Sequence, residues 1–544
     1  MKIFKKPIFL FLAIILMLNI VLPSSITFAE GETEDAVVST QESVTDDVYG
    51  DIKPLNAVGE ITENIITSIE MYDQESKLVN GVLTNTGNKI SEIRPAQDAS
   101  VEVDFTWELP AGHGYEAGST FTFNLPKNLK VPKEMKGNLG GYGTVVVTVD
   151  GQVTFTFDEN IEDTPVTNGY FGVWVQFNKG SFNGGTHQDI DFIIHGDKTT
   201  IPVHFQSSSD SEIDKTCKAN KGMNASRIDW AVEFNKGEKK IENAVFEDTL
   251  PTGLKIDLTS IKVYQLEVQL NGTVKNSGEI TSGFTKQSTS DGFEIKFAGS
   301  IDGAYRVTYS TDIIGTEDKT FSNNVTVSGD NLTELQKTLK DVNVTYSKPL
   351  EKDAIGYDPK TQTIKWEIRY NYNEQKIKKA DAYLNDTFDA VQELIPGSFE
   401  VTKMKINDNG SASENGNFTN YLVDDSIQNG FKLNFNEDID SAYKIVYKTK
   451  SKERVYGNSS IKNTVTYNGE SKTANQNIGQ VIFHKYDGAV NFNAKKITWS
   501  MTLNEDEYEM KNAVITDSFV TGQGLTFEES SLEISGLEKE RTIL

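Results

Sequence analysis

Cysteine is almost missing from this chain: Cys217 is the only one in 544 residues. A single thiol cannot close an intrachain disulfide, so no cystine framework holds the fold, and Cys217 itself reads as a small buried apolar side chain. Histidine is scarce too. His113, His187, His195, His204 and His484 stand at no metal-ligand spacing from one another or from Cys217, so neither a metal nor a cofactor is expected. Positive charge is short, with 53 Lys and Arg against 79 Asp and Glu and a net charge of −26. Such a polyanion repels phosphate backbones and anionic bilayers, which excludes nucleic acid as a partner. GNLGGYG (137–143) is glycine-rich but lacks the order of a phosphate loop, and NDNG (407–410) and NEDIDS (436–441) gather oxygens without EF-hand order. No Ser-His-Asp order stands out, so a turnover enzyme is not expected.

Long apolar runs are also lacking, with one exception. MKIFKK is basic, PIFLFLAIILMLNIVL is apolar, and SSITFA ends on Ala29, the pattern of a secretory signal peptide over 1–29. No second run of spanning length follows, so an exported chain without membrane insertion is expected. Residues 30–60 are acidic and poor in bulky apolar side chains, and read as a disordered leader.

What the chain has in abundance is alternation and repetition. Residues 61–207 carry VEVDFTWELP, STFTFNLP and GYFGVWVQFN, with TVVVTVDGQVTFTFDEN reading as a hairpin around Asp150-Gly151. Period-two runs between Gly, Asn and Asp turns predict an antiparallel sandwich. ENIITSIEMY (63–72) fits either a strand or one amphipathic helix. A longer unit then recurs. Lys215, IDWAVEFN, VFEDTLP, GFEIKF, AYRVTY and FSNNVTVSG are matched by Lys352, IKWEIRYN, YLNDTF, GFKLNF, AYKIVY and IKNTVTYNG. Lys485, ITWSMTLN and VITDSF begin it a third time. Tryptophan and aspartate stand 18, 20 and 18 residues apart, as 248 − 230, 386 − 366 and 517 − 499. Repetition at this length means an array of like domains. The fold expected is all-β: tandem immunoglobulin-like β-sandwich domains at 61–207, 208–345 and 346–480, with a partial unit at 481–544. Ile364, Trp366, Ile368 and Tyr370 share a parity and so one sheet face, with tryptophan as a core plug.

Three polar residues recur with the strands. A lysine on a first strand, an aspartate on a middle strand and an asparagine on a late strand can meet inside a sandwich. Burial disfavours their charged forms, which leaves a nucleophilic amine beside an acid able to polarise a carboxamide. The product is a Lys–Asn amide formed once, with loss of ammonia. The candidates are Lys215, Asp248 and Asn323, then Lys352, Asp386 and Asn463, with the aspartates as helper acids. Lys218 competes with Lys215, which lies one residue further from its tryptophan than Lys352 does, and Asn324 competes with Asn323. In the third unit Lys485 and Asp517 recur, but no asparagine-bearing strand follows, so Lys485 is expected to stay unpaired and the chain to be a truncated product. A tie closing 323 − 215 = 108 residues restricts the unfolded chain as a disulfide would, on the order of 4–5 kcal/mol. The competing reading is a solvated lysine, an aspartate at a strand end and an asparagine in a turn.

W-x-[IV]-x-x-N, EDTLP and N-[NT]-V, found in these repeats, resemble the collagen-binding domains of Gram-positive surface adhesins. The segment 61–207, with AGSTFTFNLP, is similar to the amino-terminal domain that precedes them. The resemblance implies immunoglobulin-related sandwiches with internal Lys–Asn isopeptide bonds. It implies that 61–207 and 208–345 close around collagen or a related matrix protein through a linker near Gln206 to Ser211. It also implies a monomer at the cell surface or wall, although the family's L-P-x-T-G sorting motif is not found. A surface stalk without a ligand of its own is the alternative.

Overall fold

The computed structural model describes residues 58–79, 82–162, 164–208, 211–480 and 482–536. The expected signal peptide and nearly all of the acidic leader lie outside these residues. Almost every element is a β-strand, joined by short 3-10 turns.

The first sandwich packs two four-stranded sheets. One is ordered Ile66–Tyr72, Ser100–Leu109, Val166–Phe177, Leu129–Lys130; the other is Thr120–Asn124, Gln152–Phe157, Gly143–Val147, Met135–Asn138. The ambiguous stretch at 63–72 is therefore a strand, paired antiparallel with Ser100–Leu109. Trp107 is fully buried among Phe155, Phe157 and Tyr142. A separate hairpin, His187–Ile194 with Asp197–His204, adds Ile190, Phe192 and Val203 to this core.

The second and third sandwiches share one topology, as repeated sequence requires. In the second, one sheet runs Ile213–Ala219, Arg227–Phe234, Ala304–Ile313, Lys262–Val268, Val274–Ile280; the facing sheet runs Phe284–Ser288, Gly292–Phe297, Val245–Thr249, Lys319–Ser328, Gln336–Val344. The third repeats this order from Leu350–Asp358 to Glu470–Ile478. Ile364, Trp366, Ile368 and Tyr370 are all fully buried on one face, as their parity demands. Lys215 pairs with Val232 and Lys352 with Ile368, each two residues past the tryptophan. The extra residue before Trp230 thus lies in the connection and leaves the register unchanged.

The asparagine of W-x-[IV]-x-x-N explains itself in the backbone. Asn235, Asn371 and Asn504 have φ of 54°, 56° and 60°, the left-handed region that asparagine tolerates better than most residues. The Asn371 side chain donates to Gln375 O at 2.9 Å and to Ser441 O at 3.0 Å, and accepts from Gln375 N at 3.0 Å. Asn235 and Asn504 hold the same turn. Three residues later stands a glutamate, again left-handed: Glu238, Glu374 and Glu507, at φ 50°, 49° and 55°. Each reaches back to the preceding unit. Glu238 accepts from Arg94, Glu374 from Lys221 and Asn224, and Glu507 faces Lys360.

Backbone bonds reinforce the first of these junctions. Thr186 N donates to Val268 O and Leu270 N to Gly184 O, both at 2.9 Å, while the Leu270 side chain joins the first core. The third unit is a single hairpin, Phe483–Asn491 with Lys496–Leu503, whose Phe483 and Trp499 remain exposed. Among the described residues no helix is long and apolar enough to cross a membrane.

Gly292 and Gly430 face the two helper-acid strands at very close range. A Cβ on Gly292 would lie 1.8 Å from Asp248 O, and one on Gly430 2.2 Å from Asp386 O. Gly430→Ala is therefore expected to destabilise the third sandwich by about 2 kcal/mol or more, read as a lower denaturation midpoint.

Candidate functional site

Each repeat gathers its polar residues from four strands. The lysine comes from the first strand, the aspartate from the middle of the facing sheet and the asparagine from the strand beside it. Asp248 pairs with Val325 and Asp386 with Val465, two residues past the respective asparagines. All point inward because they share parity with the apolar core positions. The side chains of Lys215, Asp248, Lys352 and Asp386 have no exposure, and Asn323 and Asn463 are fully buried. The competitors Lys218 and Asn324 face solvent.

In the third sandwich Lys352 Nζ donates to Asp386 Oδ2 at 2.5 Å and to Tyr447 Oη at 2.6 Å. Tyr447 Oη donates to Asp386 Oδ1 at 2.7 Å and accepts from Asn463 Nδ2 at 2.8 Å. The second sandwich repeats the set. Lys215 Nζ meets Asp248 Oδ2 at 2.7 Å, Tyr309 bonds the same carboxylate oxygen, and Asn323 Nδ2 donates to Tyr309 Oη at 3.1 Å. Trp230 and Trp366 lie under the amines, 4.9 and 5.6 Å from ring centre to Nζ. Each indole is pinned by its Nε1–H to a threonine, Thr311 at 3.0 Å and Thr449 at 2.9 Å.

Burial controls the protonation of these groups. It pushes the Asp248 and Asp386 carboxyls up, and the opposing pull of the lysines does not offset it. It draws the Lys215 and Lys352 amines down against the attraction of the same carboxylates. Both shifts run toward the uncharged forms, because burial removes hydration that the attraction between the partners only partly replaces. Within these two clusters three buried oxygens have no hydrogen-bond partner: Asn323 Oδ1, Asn463 Oδ1 and Asp248 Oδ1. A buried carboxamide oxygen without a partner is costly, and in both clusters the lysine and the asparagine are linked through the tyrosine and the aspartate.

The tyrosines and glycines of this site were not among the residues singled out from sequence. Tyr309 and Tyr447 are the last residues of AYRVTY and AYKIVY, where an aromatic residue at core parity reads as packing. The sign of a further role was that both are tyrosine at the same repeat position. Lys485 and Asp517 do meet, at 2.6 Å, with Lys485 Nζ 4.6 Å from the Trp499 ring centre, but both side chains are about 30 % exposed. Cys217 differs from its expectation. It shares the inward parity of Ile213 and Lys215, pairs across the strands with Trp230 and packs against the core, but it is only half-buried, with Sγ 3.8 Å from Asp341 O. The acidic stretches are engaged by protein: Asp438 by Lys378, and Asp408 by Gly222 N of the second sandwich.

The histidines also behave differently from their chain spacing. His187 and His204 stand 17 residues apart, yet the hairpin pairs them directly across its two strands, beside Glu238.

Residues 210–338 and 352–478 each match the family model described as a collagen binding domain, and residues 94–186 match a bacterial Ig domain. Among solved structures, the chain is similar to the Enterococcus faecalis MSCRAMM ACE, a protein that binds its ligands by the collagen Hug Model. That likeness has 16 % identity over 52 % of this chain and 96 % of the other, with a TM-score of 0.20. It is also similar to the collagen binding domain of the Erysipelothrix rhusiopathiae surface protein RspB, at 16 % identity over 54 % and 100 %, TM-score 0.20. A third is the C-terminal domain of the Streptococcus agalactiae AgI/II polypeptide BspA, at 12 % over 49 % and 99 %, TM-score 0.25. Among curated proteins, none is similar in sequence to this chain.

Lys352→Met isolates the acid. A carboxyl whose folded pKa is raised contributes stability that is present below its unfolded value and lost as pH rises. With burial holding Asp386 up, the stability of Lys352→Met should fall between pH 4 and 7, by at most about 1.4 kcal/mol per pH unit. Lys352→Met/Asp386→Asn should lack that slope in urea denaturation.

Proposed function

We propose that this chain, with its two collagen binding domains, is a collagen-binding surface adhesin of a Gram-positive bacterium whose domains divide the work. The sandwiches at 61–207 and 208–345 close around a collagen triple helix or a related matrix protein. The repeats at 208–345 and 346–480 are internally welded by Lys215–Asn323 and Lys352–Asn463 amides, which makes the array a stalk able to carry load. Export and attachment at the bacterial surface, as a monomer, belong to the same reading.

The observation that carries the weld is the buried cluster in which amine, acid, hydroxyl and carboxamide are linked by hydrogen bonds around Tyr447. In the reaction the neutral Lys352 amine attacks Asn463 Cγ, and protonated Asp386 donates to Asn463 Oδ1 and takes a proton from the attacking nitrogen. Asp386 then passes a proton to the carboxamide nitrogen, which leaves as ammonia, and recovers one from the hydroxyl as the carbonyl re-forms. Atoms balance as one new C–N bond for one broken and one ammonia released. Lys215, Asp248 and Asn323 follow the same course.

Adhesion is supported by the family match over 210–338 and by the form of that sandwich. An open groove of about 430 Å³ runs over its outer face, lined by residues including Thr216, Lys218, Asp229, Ala231 and Ser310. A groove on a rigid sheet, rimmed by charged and hydroxyl groups, suits a rod-like polar ligand such as a triple helix.

Denaturing mass spectrometry of the purified chain should show the loss of two ammonia molecules, about 34 Da. Asp386→Ala should retain one of them, and an unmodified mass in the parent chain would remove the weld. For adhesion, the chain should bind immobilised triple-helical collagen saturably. Ala231→Arg in the groove should weaken that binding at least about tenfold without changing the melting curve. Absence of binding by a folded parent chain would favour the stalk without a ligand.

A further inference from the structure

Glu238 is unlike its two counterparts at the later junctions. Glu374 meets Lys221 and Asn224, and Glu507 faces Lys360, so both answer only to nitrogen donors that cannot ligate a metal in that state. Glu238 meets Arg94 and, beside it, two of the five histidines in the chain. His187 and His204 are direct cross-strand partners, their rings stacked with centroids 3.9 Å apart and planes 17° from parallel. His204 Nε2 lies 3.0 Å from Glu238 Oε2, and one ligand atom from each of His187, His204 and Glu238 falls within 4.8 Å of the others. Among the described residues this is the only group of three or more His, Cys, Asp and Glu so arranged.

We propose that His187, His204 and Glu238 bind one divalent first-row transition ion, of which zinc is the type, and that this ion ties the first sandwich to the second. Two imidazole nitrogens and one carboxylate oxygen with an open fourth position are a donor set that zinc accepts. They also disfavour calcium and magnesium, which prefer all-oxygen shells. Ligand atoms around tetrahedral zinc stand about 3.4 Å apart, so rotamer adjustment of exposed His187 and half-buried His204 closes the site without moving a strand.

The surroundings support ligation. Thr186 Oγ1 donates to Glu238 Oε2 at 2.9 Å and orients the carboxylate as an outer-shell partner does. Arg94 opposes a cation, since its guanidinium lies 2.9 Å from the same oxygen. Arg94 is also held by Phe205 O and Gly237 O, so it keeps its place when the carboxylate turns toward a metal, and its charge lowers the affinity without blocking the site. Both histidines belong to the first sandwich, and Glu238 belongs to the second at the turn after its tryptophan strand. An ion there spans the junction beside the linker of 206–211.

The test uses the full chain freed of metal by EDTA and titrated with Co²⁺, whose visible spectrum reports coordination, and with Zn²⁺ as competitor. The expected result is one equivalent of Co²⁺ with the intense visible bands of a four-coordinate ion, displaced by Zn²⁺. His187→Ala and His204→Ala should each weaken binding by about tenfold or more, Glu238→Gln should also weaken it, and His484→Ala should leave it unchanged. Apo melting curves matching the parent would show that the histidine variants fold. Absence of saturable binding, or equal binding by His187→Ala/His204→Ala, would overturn the proposal. Collagen binding is scored separately, so its loss with Co²⁺ binding intact would count against the adhesion reading alone.

Discussion

A lysine and an aspartate, both withdrawn from water in the middle of a sandwich, set the terms for the rest of each repeat. As ions they would be costly there. The structure answers with a particular enclosure: an indole under the amine, pinned by its own N–H to a threonine, and a tyrosine hydroxyl bridging amine, acid and carboxamide. A glycine across the aspartate strand lets the backbones approach at that point. Each part is ordinary in a β-core. Together they leave a carboxamide oxygen with no partner, a departure from a fully satisfied core that the proposed amide bond would explain.

The same enclosure explains which parts of the site could be read from sequence. Strand parity placed Trp366, Lys352, Asp386 and Asn463 inside, because period two leaves only two faces and one is full of Ile, Phe and Tyr. Parity also separates Lys215 from Lys218 and Asn323 from Asn324, since an odd offset along a strand reverses the face. Tyr309 and Tyr447 were harder, because aromatic residues at core positions signal packing whether or not their hydroxyls are used. Cys217 lies on the face that parity assigns it, with Ile213 and Lys215, but toward the end of its strand, where the core leaves it half-buried. The histidine pair was invisible, since partners across an antiparallel hairpin are set by the turn position and not by any fixed chain interval. Once the turn is known at His195-Gly196, His187 and His204 fall opposite each other.

The junctions form a second repeated design, built from the end of each tryptophan strand. A left-handed asparagine turns the chain, and a left-handed glutamate three residues later is aimed at the preceding unit. Non-glycine residues in that conformation are strained and persist where surrounding bonds fix them. Here the fixing bonds come partly from the neighbouring sandwich, so local backbone geometry and domain attachment support one another. The motif that suggested a family holds, at this asparagine, the turn that presents the glutamate to the preceding unit.

The order of strands decides what a stretched array can give up. The lysine lies on the first strand of its repeat and the asparagine on the last but one, enclosing 323 − 215 = 108 residues. Unravelled, that segment would add about 360 Å of contour length. Once an amide joins the two ends, tension passes through a single covalent bond and the enclosed chain never enters the load path. Such a tether is close to inextensible, and a cell pulled by flow would stay at nearly fixed distance from the surface it holds.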